Sequence, residues 1–265
     1  MKNKLLTLLI AFILPAISLA EKPQRIVVLS SDVSEIVVAL GNKDKIVGRD
    51  QVDKNPALQN VPVVARHRSV AAESVMSVKP DLVLGSWLVE PHSVFDQLNK
   101  TGIKAENVIP KETAEDFYQG IEKIGKLTGK SKQALQLANQ WQSAMSPKKS
   151  TGVRYILSYD GRFVAGVGSA GDAIIKAAGG INAANVSGLK PLSREGWLSA
   201  NADVIIIADH NLAQIGGIEK FIQRPEIAAN PAAKNKKVIA MPANSFLRYG
   251  LNTPETVKKL QELGK

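Results

Sequence analysis

Short β-branched runs alternate with helical patterns along most of the chain. Arg25, Ile26, Val27, Val28 and Leu29 read as a strand, and residues 32–40 follow at helical spacing, closed by Gly41. Residues 45–48 give a second strand. Residues 72–78 read as a short helix, Pro80 punctuates, and residues 81–85 form another strand. A helix over 94–100 then ends at Gly102. Strands that alternate with helices imply a mainly parallel sheet covered by helices.

The second half repeats this scheme. Residues 70–84 lie over residues 192–206 at a constant offset of 122, with Glu73 over Glu195, Ser77 over Ser199 and Asp81 over Asp203. Residues 34–41 likewise resemble residues 171–179. Two matches in the same order predict two lobes of similar architecture. Between them, Phe117, Ile121, Ile124 and Leu127, then Ala134, Leu135, Ala138 and Trp141, keep helical spacing. Gly129 and Lys130 interrupt it, Ser131 is placed as the cap of the second helix, and Pro147 ends it. The pattern predicts two helices, the second crossing between lobes, and a cleft that changes little on binding. The expected divisions are 21–112, 113–147 and 148–265, after a leader at 1–20.

That leader has Lys2 and Lys4, an apolar run over 5–14, Pro15, and small residues Ser18 and Ala20 at the spacing a signal peptidase needs. The run is half the roughly 20 residues of a membrane-spanning helix. Export to the periplasm is the expectation, with cleavage before Glu21. The chain has no cysteine, so neither a disulfide framework nor an acylated cysteine is expected. Its formal charge is +10, which becomes +8 without the two leader lysines. The basic residues are scattered in short clusters such as Lys148 and Lys149, which fits a solvated basic surface and not a nucleic-acid footprint.

Taken together, Ile26 to Leu29, the run from Ser34 to Gly41, Ile46-Val47-Gly48, Lys79-Pro80-Asp81-Leu82 and Pro191 to Glu195 resemble the periplasmic binding proteins of iron-siderophore, cobalamin and haem ABC transporters. The resemblance covers residues 23–263. It implies an α/β fold of two similar Rossmann-like lobes with mainly parallel sheets, bridged by one long α-helix. Arg68, Val70, Ala72 and Glu73 are most similar to the haem-binding branch, as are residues 172–182 and Thr253-Pro254-Glu255. For that branch the resemblance implies haem as transported cargo, not as a catalytic cofactor, a monomer, an inner-membrane permease as partner, and an outer-membrane receptor upstream. A ferric siderophore or cobalamin is the alternative cargo. The branch's iron-ligating tyrosine is replaced here by Arg66, which makes the adjacent His67 the substitute ligand to haem iron.

Arg66 and Arg68 are candidate partners for haem propionates, because guanidinium matches carboxylate geometry. Trp87, Tyr159 and Tyr249 are candidate ring or phenolate contacts, for which ordinary packing is an equal reading. His92 and His210 follow equivalent strands and read as loop histidines. Ser31, Asp32, residues 66–68, Trp87, Tyr159 and His210 fall at the carboxyl ends of strands, where clefts of open α/β sheets lie. Glu73 and Glu195 occupy equivalent positions, each opening a short helix; the resemblance assigns them to docking on permease arginines. Nothing in the chain suggests an enzyme: there is no Gly-x-Ser-x-Gly elbow, no cysteine nucleophile and no zinc spacing. The Gly166-Val167-Gly168-Ser169-Ala170-Gly171 loop resembles a dinucleotide loop without its full spacing.

Overall fold

A computed structural model describes residues 22–66 and 68–265. The leader and His67 lie outside the described residues. In the first lobe, strands β1 (Ile26–Val28), β2 (Ile46–Asp50), β3 (Val63–Ala65), β4 (Leu82–Ser86) and β5 (Lys104–Ile109) form an all-parallel sheet in the order β3-β2-β1-β4-β5. Helices α1 (Ser31–Ala39), α2 (Ala72–Met76) and α3 (Ser93–Lys100) make the crossovers that parallel neighbours require. Helices α4 (Ala114–Leu127) and α5 (Ser131–Met145) follow.

The second lobe contains β6 (Arg154–Ser158), β7 (Phe163–Ala165), β8 (Ile181–Asn182), β9 (Leu189–Pro191), β10 (Val204–Ala208) and β11 (Val238–Met241), with helices α6 (Ala170–Ala177) and α7 (Arg194–Ser199). Here β8, β10 and β11 run parallel to β6, while β7 alone runs against them and pairs antiparallel with both β6 and β9. The link from Ser158 to Phe163 is too short for a crossover, so β7 can only fold back on β6.

The duplication is visible in atomic detail. In the first lobe Asp81 N–H donates to Arg25 O at 2.9 Å, and the Asp81 carboxylate accepts from Arg25 N–H at 3.1 Å. In the second, Asp203 N–H donates to Arg154 O at 2.8 Å and its carboxylate accepts from Arg154 N–H at 2.9 Å. Lys79 and Asn201, also 122 apart, both adopt left-handed backbone, with φ of 48° and 46°. The helices α1 and α6 end alike. Gly41 and Gly179 carry positive φ and donate to Val38 O and Lys176 O, and the next residues, Asn42 and Gly180, donate to Val37 O and Ile175 O.

Alternation along the strands sorts the core into layers. Ile26, Val28, Leu82 and Leu84 face one way in the first lobe; Tyr155, Leu157, Val204 and Ile206 do so in the second. All of them join a single buried cluster with Phe117, Ile121 and Ile124 of α4 and Ala134, Ala138 and Trp141 of α5. The opposite faces build separate outer layers, with Val27, Val83 and Leu98 in one lobe and Ile156, Ile205 and Phe221 in the other. The bridge is α5, which packs on α4 on one side and on α6 and the C-terminal helix Thr253–Leu263 on the other. Ser131 is the first residue of α5 and not its cap, a place taken by Lys130, whose N–H is satisfied by Gly125 O. Among the described residues no helix is long and apolar enough to cross a membrane.

Trp141 ties the bridge to the second lobe. Its Nε1–H donates to Gly250 O at 2.8 Å, in a buried setting. Trp141→Phe keeps most of the apolar volume and removes that bond, while Gly250 O still accepts the Thr253 N–H at 3.1 Å. Loss of one hydrogen bond costs about 0.5–1.5 kcal/mol, and urea denaturation of the variant is expected to show a loss in that range with an unchanged slope.

Candidate functional site

Three cavities open between the lobes and meet at Asn244. The first, about 60 Å³, is lined by Asp32, Trp87, Phe117, Arg248 and Tyr249. One of about 300 Å³ reaches Tyr159, Leu189 and Glu112, and one of about 500 Å³ reaches Glu35, Asp53 and His210. Ser31 and Glu35 also link the first to the largest, and Glu112 and Arg248 link it to the second. Small-molecule clefts typically span roughly 300–1,000 Å³, and these adjoining spaces together lie on that scale.

Phe117 and Tyr249 bring aromatic surface to the wall of the first cavity, backed by Trp141 of the bridge. Phe117 of α4 packs on Trp141 of α5 with ring centroids 4.8 Å apart, and Trp141 meets the edge of Tyr249 at 5.9 Å. Across the opening, the Arg248 guanidinium lies 5.7 Å from the centre of the Trp87 ring. This cation–π contact joins a second-lobe charge to a first-lobe ring. Burial first, and then the charges of Glu112 and Asp172, push the Tyr249 phenol up to about 12.

Two carboxyls of α1 lie beside this wall. Burial raises Asp32 above the ordinary carboxylate range, against the opposing hydroxyls of Ser30 and Ser86. Burial also lifts Glu35 to about 8, with smaller contributions from the charges of Asp32 and Asp53, against the Leu251 N–H that Glu35 Oε1 accepts at 3.0 Å. That bond joins α1 of the first lobe to the second-lobe loop that also receives Trp141.

The basic triplet is divided. Arg68 lines a small recess under Val70 that touches the main cleft at Ser31. Its Nε is 4.0 Å from Glu90 Oε1 in an exposed pair, which contributes little. Arg66 is exposed, and its carbonyl closes a turn by accepting from Ser69 N–H at 2.7 Å. Trp87 and Tyr249 share the first cavity, whereas Tyr159 and His210 pack edge to face at 5.3 Å on the second-lobe rim. His92 is exposed at the start of α3. Glu73 and Glu195 are both exposed in the first turns of α2 and α7, in no ion pair among the described residues.

A family model described as periplasmic binding protein matches residues 26–245. The chain belongs to the periplasmic binding protein family. Among solved structures, the periplasmic haem-binding protein HutB of Vibrio cholerae is similar throughout, with 27% identity, a TM-score of 0.79, and coverage of 91% of this chain and 98% of HutB. Among curated proteins, the uncharacterized ABC transporter substrate-binding lipoprotein YvrC of Bacillus subtilis is 33% identical over 48% of this chain and 41% of its own. The vitamin B12-binding protein of Photorhabdus laumondii is 27% identical over 46% of this chain and 45% of its own. The matches thus span about half the length or less of these two curated relatives.

In this periplasmic binding protein the dinucleotide-like loop has a structural explanation. Asp172 Oδ2 accepts the Gly168 N–H at 3.0 Å, placing an acid where a phosphate would need amide donors. Sequence reading missed Glu35, Lys111, Glu112, Asn244 and Arg248 in the cleft. Arg248 had a signal in its adjacency to Tyr249. Glu35 was embedded in a helix motif, and Asn244 carries no distinguishing pattern.

Glu35 makes stability depend on pH. Below its ordinary value of 4.5 it is protonated whether the chain is folded or not. Between 4.5 and about 8 the unfolded chain ionises while the folded protein keeps the proton, so the stabilisation present at low pH is lost as pH rises through that window. In Glu35→Gln, which retains an acceptor for Leu251, stability relative to wild type is expected to increase from pH 5 to pH 8 in thermal melts.

Proposed function

We propose that the protein captures haem in the interlobe cleft and delivers it to an ABC import permease of the inner membrane, without catalysing a reaction. The observation that carries this reading is the aromatic lining of Phe117, Trp87 and Tyr249, faced by Arg248, in a fold that matches a haem-binding protein over nearly its whole length. A flat apolar macrocycle stacks on such surfaces, and Arg248 and Lys111 supply positive charge for propionates. Export with cleavage of residues 1–20, action as a monomer and an outer-membrane receptor upstream belong to the same reading. So do Arg66, Arg68 and Tyr159 as contacts at the rim.

Two residues are candidates for the iron. His67, adjacent in sequence to Arg68, remains the proposed imidazole ligand. Tyr249 is a half-buried phenol whose proton must be displaced before it could bind ferric iron, because its ionisation lies far above neutrality. Cobalamin is the second reading, favoured by the similarity to a vitamin B12-binding protein.

Addition of hemin to the purified protein is expected to shift the Soret band at micromolar concentration. His67→Ala or Tyr249→Phe then changes the band position according to which residue holds the iron. A spectrum that stays that of free hemin, together with a response to cyanocobalamin, would replace the haem reading by the corrinoid one.

Glu73 and Glu195 stand at matching points of the two lobes, free of internal ion pairs among the described residues. We assign them to permease docking. The double change Glu73→Arg, Glu195→Arg is expected to leave hemin affinity within twofold and abolish haem-dependent growth. Uptake at the wild-type rate would sink the assignment.

A further inference from the structure

Among the described residues, Asn244 alone borders all three cavities of the cleft. A cargo that spans any two of them passes beside its side chain. That side chain is exposed and makes no hydrogen bond among the described residues. Its backbone, in contrast, is firmly mounted. Asn244 lies on the short helix Ala243–Phe246, whose Phe246 is fully buried. Leu247 N–H donates to Ala243 O at 2.9 Å, and Thr256 Oγ1 donates to Ser245 O at 2.8 Å.

Arg248, four positions on, borders two of the same cavities, the first and the one of about 300 Å³. Its donors are in an unusual position for a half-buried guanidinium. Arg49 and Arg154, also half-buried, direct Nε–H to the backbone carbonyls of Leu58 and Ala200, each at 2.9 Å. Arg248 makes no hydrogen bond and no ion pair among the described residues, and rests against the Trp87 ring. A ring contact does not saturate five N–H donors. Donors partly withdrawn from water and unmatched by the protein favour an acceptor on the ligand. Glu112 borders the same two cavities, yet it forms no ion pair with Arg248, and burial raises its carboxyl, so it is a poor counter-charge.

We propose that Asn244 is a cargo-selecting residue that acts with Arg248 to hold one carboxylate of the cargo where the cavities meet. Arg248 supplies the charge and the Asn244 amide N–H donates to the same carboxylate. A carboxylate offers two oxygens and only acceptor sites, which matches a guanidinium beside an amide donor. The inference rests on the haem reading, because it requires a cargo that carries carboxylates, and it deepens that reading by naming a neutral residue that senses them.

The test measures affinities of the purified protein and its Asn244→Ala and Asn244→Asp variants for two probes. Hemin has free propionates; hemin dimethyl ester keeps the iron and macrocycle but lacks the negative charges. Asn244→Ala removes the donor, and hemin is expected to bind at least fivefold more weakly. Asn244→Asp also sets a like charge beside the carboxylate, and hemin is expected to lose at least tenfold, while the ester changes by less than threefold in either variant. Melting temperatures are expected to match wild type, because the side chain is exposed. If the hemin loss in Asn244→Asp exceeds the ester loss by less than threefold, the inference is overturned and the haem reading stands. If wild type fails to bind hemin, both fall.

Discussion

The structure depends on one continuous apolar layer shared by both lobes. In many two-lobed arrangements each half has its own core and the join is a strap. Here the inner faces of both sheets bury against the same pair of helices, and Phe117, Trp141, Tyr155 and Leu157 belong to one cluster. Sliding or opening the lobes would expose that layer to water, at about 25 cal/mol for each Å² of apolar surface. The Trp141–Gly250 and Glu35–Leu251 hydrogen bonds pin the same second-lobe loop from the bridge and from α1. A preformed cleft is the consequence, and Phe117 carries the shared layer to its wall.

The charge distribution follows from that burial. Carboxyls lining the cleft are held in a poorly solvated setting, so Asp32 and Glu35 resist ionisation. Arg248 and Lys111 share the first cavity with Glu112, and Asp53 and Asp209 share the widest one with Lys54, so charges of both signs line each part of the cleft.

The fold was largely legible because its determinants repeat locally. The 122-residue offset picked out Glu73 with Glu195 and Asp81 with Asp203, and the hydrogen-bonding pattern of Asp81 and Asp203 recurs in both lobes. The spacing from Phe117 to Trp141 identified the bridge because one face of each helix is buried. The antiparallel ribbon of β7 and β9 was not legible, since three-residue strands such as Phe163–Ala165 carry too little periodicity. The site was legible only in part. Trp87 and Tyr249 stood out as large rings at loop positions. Glu35 and Asp53 did not, because their importance comes from burial beside groups distant in sequence. Arg66 drew attention for occupying a family tyrosine's place, yet it is exposed on the turn closed by Ser69.

Small-angle X-ray scattering of the free and hemin-saturated protein tests the shared-layer account most directly. The account predicts the same radius of gyration and superposable scattering curves in both states, because the lobes are joined through one buried layer and the cleft is already formed. A clear contraction on loading, of the kind produced by two lobes closing about a hinge, would contradict it.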